Sequence, residues 1–257
     1  MRVWSIFKKE VRLYFVSPIA YVVFAIFALI SGVFFYGYLI DYAFYSMRAA
    51  MSPMLAGDLN ITEGVMRPLL QHVIAVIMLF VLPLLTMRLF AEEKKVGTIE
   101  LLLTYPVRDG EVLLGKYLAA LALFLGMLVL TLCYPILVGS MARLEWGPLL
   151  SGYLGLVLQG AAFLAAGVLI SSLTENQVVA AVATFGILLL LWVAPSLVAN
   201  FVGSELARIL AHLSMLEQFE GFAKGVIDTK AVVYYLNFTL LCLFLTLRSL
   251  ESKRWRG

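Results

Sequence analysis

Six long apolar runs, separated by short polar stretches, divide the chain at about residues 17–40, 69–90, 117–139, 149–173, 178–198 and 232–247. A bilayer core of about 30 Å is crossed by roughly 20 apolar residues in a helix rising about 1.5 Å per residue. Runs of this length with almost no charge have no stable place in water. The pattern predicts an all-α integral membrane protein with six transmembrane helices, built as a single membrane domain over residues 1–257.

The polar stretches carry patterns of their own. In residues 1–16, Arg2, Ser5, Lys8, Lys9 and Arg12 fall on one helical face and Val3, Ile6, Phe7, Val11 and Tyr14 largely on the other, which predicts an N-terminal interfacial helix. Residues 17–40 are too long and too rich in Tyr and Phe for a secretory signal and read as the first span. Residues 41–68 hold Asp58, Asn60, Thr62 and Glu63 around Gly57 and Gly64, predicting an irregular loop. The second span contains Pro83, tolerable where a neighbour satisfies the freed carbonyl.

Residues 88–116 form the longest charged connector. In it the second helix runs on through Glu92, Glu93, Lys94 and Lys95 and stops at Gly97, a residue that ends helices at little steric cost. Thr98 caps a new short helix at about 98–105, with Glu100 in its first turn and Pro106 closing it. The apolar side of that helix, Ile99, Leu102, Leu103 and Tyr105, has no obvious covering element in the chain. Before the last span, Leu206, Ile209, Leu210, Leu213 and Leu216 recur at three and four. This describes an amphipathic helix too short and too charged to span, lying along the membrane or dipping into it.

Composition agrees: 63% of residues are hydrophobic and 14% charged, against about 25% charged in soluble domains. A net charge of +3 with its basic residues spread along loops excludes nucleic acid as a partner. Thirteen of the 19 Lys and Arg fall on the side of the N-terminus. By the preference for basic residues in cytoplasmic loops this puts both termini in the cytoplasm, as an even number of spans requires. Cys133 and Cys242 lie inside apolar runs, where burial keeps a thiol inert.

Candidate chemistry is sparse. Gly110 to Lys116 matches a phosphate-loop pattern until Tyr117 replaces the required hydroxyl, so the match reads as chance in a helix leading into the third span. His72 and His212 stand alone, with no ligand cluster at metal spacing. Glu92 and Glu93, followed at once by Lys94 and Lys95, read as a solvated charged surface and not as an acid/base pair. No catalytic residue is assigned, and a membrane-embedded enzyme would need ionisable groups at mid-span. Gln71, Gln159 and Thr184 are the polar residues that could line a route through the spans. For Gln159, amid Gly152, Gly155, Gly160, Ala161 and Ala165, an interhelical hydrogen bond in close packing is the plainer reading.

Taken together, RLFAEEKKVGTIELLLTYPVRDGEVLLGKY and LSMLEQFEGFAKGVIDTKAVVYYLNF resemble the signature stretches of ABC type 2 transporter permeases, nearest to the gliding-motility-associated bacterial subunits. The resemblance implies a bacterial inner-membrane subunit whose segment 98–105 is a coupling helix seated in a cleft of a separate ATPase. Glu92, Glu93, Gly97, Thr98, Glu100, Leu101, Leu102 and Tyr105 would then serve coupling. It also implies an outward re-entrant region, with Leu213, Phe219, Phe222 and Gly225 as its gate. The implied partners are two cytoplasmic ABC ATPases that bind the ATP and Mg, a second permease copy or homologue, membrane lipid and a periplasmic accessory protein; the chain itself binds no cofactor. The function expected is ATP-driven export. The alternative is a mechanical subunit of an envelope or motility complex that uses the same coupling and carries no cargo.

Overall fold

The computed structural model describes residues 2–51, 60–98, 108–199 and 214–254, and among them every regular element is helical. The elements are α1 (Arg2–Val16), α2 (Pro18–Met51), α3 (Thr62–Val96), α4 (Asp109–Met141), α5 (Trp146–Leu173), α6 (Gln177–Ala199), α7 (Met215–Ala223) and α8 (Thr229–Arg254). Five of these, α2, α3, α4, α5 and α8, are long and apolar enough to cross a membrane, and α6 carries a shorter apolar stretch, Gln177–Val193.

One expectation is corrected. The segment read as an irregular loop at 41–68 is helical to Met51 and again from Thr62. Between Tyr38 and Ser52 there is neither Gly nor Pro, so nothing breaks the helix when its residues turn polar, and Ser46 satisfies its hydroxyl on Ala43 O at 2.8 Å. The connector at 88–116 is helical at both ends, as expected: α3 continues to Val96 and α4 begins at Asp109. The amphipathic helix expected from Leu206 to Leu213 lies outside the described residues. Leu216 falls on α7, which Ser214 caps by accepting from Glu217 N–H.

The bundle is arranged around α5, which packs against α3, α4, α6, α7 and α8. Its sequence explains this position, because small residues let neighbours come close. A Cβ at Gly160 would run into the Phe124 ring of α4, and one at Gly167 into Thr86 Oγ1 of α3. Buried polar groups pair across these seams: Tyr117 donates to Ala161 O at 3.1 Å, and Ser31 and Tyr134 hydroxyls meet at 2.8 Å. The outer faces of α2 and α8 expose Ile26, Leu29, Val33, Leu240 and Phe244, a surface suited to lipid.

Candidate functional site: a buried ion cluster at the α1 end

At the end of the bundle that carries α1, the last turns of α3 and the first turns of α4 converge. Lys116, on α4, has a side chain only 2% exposed. A buried ammonium costs several kcal/mol unless it is paired, and this one has two carboxylate partners, Glu10 Oε1 of α1 at 2.9 Å and Glu93 Oε1 of α3 at 2.8 Å. The Phe90 ring faces the same ammonium, its centroid 5.4 Å away. Lys9 approaches both carboxylates at 3.9 and 4.0 Å from its exposed position.

Glycine makes the meeting possible. A Cβ at Gly115 would lie 2.7 Å from Ile6 Cγ2 and 3.2 Å from Val3 O, so α1 lies directly on α4, and Glu10, one turn beyond Ile6, reaches Lys116. A further turn along, Tyr14 donates to Leu85 O of α3 at 2.6 Å. Its phenol is pushed well above the usual range by burial, with the charge of Glu10 adding to the effect and Arg88 opposing it. The basic N-terminal helix is therefore bound to the bundle by a salt-bridge triad and a part-buried hydrogen bond, and not by the membrane interface alone.

The end of α3 is also fastened to α5. Ser171 Oγ accepts from Phe90 N–H and Ala91 N–H, both at 3.1 Å, and donates to Met87 O at 3.0 Å. A side chain inserted in this way opens the helical ladder and marks a joint, four residues after Pro83. Lys94 Nζ donates to Ser172 O. On the outer side, Arg88 forks onto Glu92 at 2.7 and 3.0 Å and reaches Ser17 Oγ, at the α1–α2 elbow, at 3.2 Å. α3 then stops as expected at Gly97, whose φ of +77° is left-handed. Thr98 Oγ1 turns back to Glu93 O at 3.3 Å. The chain re-enters at Arg108, whose N–H bonds Glu111 Oε2 at 3.1 Å and so opens α4.

These positions change the reading of the charged run. Glu92 and Lys95 are on the surface, but Glu93 points inward and Lys94 is buried, because the apolar stripe of α3 continues past Phe90 and carries them against α4 and α5. The phosphate-loop lookalike is the opening of α4, with its lysine engaged by Glu10 and Glu93. Glu100, Leu101, Leu102 and Tyr105 lie outside the described residues, so the structure brings together only Glu92, Glu93, Gly97 and Thr98 of the coupling set.

At the other end, Phe219 and Phe222 are fully buried. They pack on Gly155 of α5, where a Cβ would lie 2.7 Å from Phe222, and Ser151 Oγ donates to Phe222 O at 2.6 Å. Gly225 turns the chain with φ +90° against Pro148, and Leu213 lies outside the described residues. Gln159 is buried between these contacts, and neither its Oε1 nor its Nε2 has a hydrogen-bond partner among the described residues; the interhelical bond expected of it is absent there. Thr184 bonds Ala180 O on its own helix at 2.7 Å, and Gln71 is half-buried on α3.

Sequence reasoning missed Glu10, Lys116 and Ser171. A signal for the first two existed: Glu10 is the sole acid of α1 and stands between Ile6 and Tyr14 on its apolar stripe, and Lys116 interrupts the stripe of Leu113, Tyr117 and Ala120. Each is a charge where the periodicity calls for a hydrophobe, and the two charges are opposite.

Long lipid-suited helices around a small-residue core define a multi-pass membrane protein. The sequence model of the family described as ABC-2 family transporter protein matches residues 4–245, nearly the whole chain, and the protein belongs to that family. No curated protein matches it. Membership makes it a membrane permease component of the ABC-transporter class, whose general partners are ABC ATPases.

Proposed function

We propose that this chain is the six-span permease subunit of an ATP-driven exporter in a bacterial inner membrane, with both termini cytoplasmic and with kinship to the gliding-motility-associated permeases. In this reading two permeases stand over two ATPases that bind ATP and Mg, and segment 98–105 docks in an ATPase cleft. α7 serves the outward side.

The observation that carries the reading is the Glu10–Lys116–Glu93 triad. The roots of residues 99–107, Glu93 on α3 and Lys116 on α4, are joined to each other at 2.8 Å and to α1 at 2.9 Å. A push on that segment therefore reaches three helices through buried charge contacts, which in a low-dielectric interior yield little. Glu92, exposed and held in place by Arg88, is the charged contact offered to the ATPase.

The test is purification of the chain from its native membrane, identification of co-purifying subunits and measurement of their ATP hydrolysis. Recovery of an ATPase whose binding is lost when Leu102 and Tyr105 are changed to charged residues supports the reading. Recovery of the chain without an ATPase refutes it.

A further inference from the structure

Beside the ion triad the structure holds a cavity of about 310 Å³, bounded by α1, the elbow at Ser17, the first turn of α2 and the end of α3. This is within the range of small-molecule sites, about 300–1,000 Å³. Its apolar walls are Leu13, Val16, Ile19, Ala20, Leu84 and Leu89. Leu13 and Val16 are largely exposed and form its mouth. Its polar end is built from Glu10, Glu92, Glu93, Arg88 and Lys116.

Charge decides what such a cavity prefers. Arg88 is consumed by Glu92, and the single Lys116 ammonium is shared by Glu10 and Glu93, so the lining holds three carboxylates against two cations. The next cation, Lys9, stands outside the lining with a side chain 55% exposed, where solvent screens it. Glu93 engages Lys116 through Oε1 alone, and its Oε2 is buried with no donor among the described residues.

We infer that this cavity binds a cationic amphiphile: a primary alkylamine or a similar organic cation whose hydrocarbon lies along Leu13, Val16, Ile19 and Leu84 and whose ammonium offsets the excess of carboxylates in the lining. A neutral amphiphile gains the walls but leaves the extra carboxylate uncompensated, and an anionic one meets it as a like charge. The site does not rest on the ATPase partnership, and it can be tested on the permease by itself.

The experiment is equilibrium binding of radiolabelled dodecylamine, dodecanol and dodecanoate to the full chain in phosphatidylcholine nanodiscs. Saturable binding of the amine at one site per chain, at least tenfold tighter than the alcohol, is expected, with the carboxylate weakest. Leu84→Trp, which fills the cavity from a partly exposed position, is expected to weaken the amine at least tenfold. Glu92→Gln, which removes the excess charge without touching the triad, is expected to weaken the amine severalfold and leave the alcohol unchanged. Equal affinity for amine and alcohol would mean a lipid-filled recess and overturn the inference. So would full amine affinity in Leu84→Trp, provided the variant retains the wild-type melting temperature.

Discussion

Replacing Lys116 by Met isolates the triad from every other contact at that end of the bundle. Each of its two carboxylate contacts, at 2.8 and 2.9 Å, is worth about 6 kcal/mol of Coulomb attraction at an effective dielectric of about 20. Against this stands a desolvation cost of several kcal/mol for each of the three ions. The triad as a whole is therefore close to neutral for stability. Removing the cation alone is not neutral, because Glu10 and Glu93 are left facing one another with side chains only 8% and 16% exposed.

Breaking one partner out of such a group costs about 3–5 kcal/mol, and Lys116→Met should lose that much in unfolding free energy. The triple variant Glu10→Gln, Lys116→Met, Glu93→Gln removes all three charges and should recover all but about 1 kcal/mol of it. Reversible unfolding in mixed micelles, followed by circular dichroism, reads both. Under the proposed function the two variants should also share one defect, a loss of permease-stimulated ATP hydrolysis, although only the first is unstable. A triple variant as unstable as the single one would refute the electrostatic account. A fully coupled triple variant would refute the transmission role.

Further outcomes follow from the same contacts. Ser171→Ala removes the side-chain acceptor of Phe90 N–H and Ala91 N–H, of which Phe90 N–H lies in the first turn after Met87, and should cost about 1–3 kcal/mol in the same unfolding assay; an effect below about 0.5 kcal/mol would mean that α3 closes its own ladder there. Gln159→Leu removes two buried polar atoms that lack partners among the described residues and should stabilise the chain by about 1–2 kcal/mol, seen as a raised melting temperature, whereas a loss of stability would reveal a partner for the amide. Glu92→Lys should weaken ATPase association in a salt-dependent way without unfolding the bundle, and Glu93→Lys should instead unfold it; pull-down and melting temperature together separate the two. Gly97→Pro should uncouple hydrolysis while leaving the helices intact by circular dichroism, and unchanged stimulated activity would count against the coupling assignment.

What could be seen in the sequence was whatever depends on the solvent. Spans 149–173 and 178–198 match α5 and α6 within a few residues, because exclusion of charge from a bilayer is a property of the run itself. The stop at Gly97 was equally visible, since left-handed backbone strongly favours glycine. The loop at 41–68 failed because polarity alone does not end a helix; only a breaker or a competing hydrogen bond does, and Ser46 makes its bond within the helix. The inward turn of Glu93 failed for a different reason. Whether a charge near a helix end is solvated depends on what covers it, and the cover here is Lys116, 23 positions later, held beneath an α1 that only Gly115 admits. Pairing across elements carries no local periodicity, and its only trace is a charge misplaced on an apolar stripe.

The same packing constrains how a movement at one end could reach the other. Phe124 fills the space at Gly160 and Thr86 the space at Gly167, so α3, α4 and α5 interlock along much of their length and cannot slide past each other without clearing a side chain. The joint at Met87, which proline would otherwise leave as a free hinge, is pinned by Ser171. Force delivered at Glu93 and Lys116 would therefore travel through the three helices as one body, not as a bend in α3. At the opposite end that body holds α7 through Gly155 and the Ser151–Phe222 bond, so α7 would follow the displacement of α5. Gln159 sits between the interlocked core and that attachment, and its amide, without a partner among the described residues, would be better satisfied in an arrangement where it meets water or a polar ligand. Under the proposed cycle, an opening beside α7 that brought water or a polar ligand to Gln159 would be favoured by that amide.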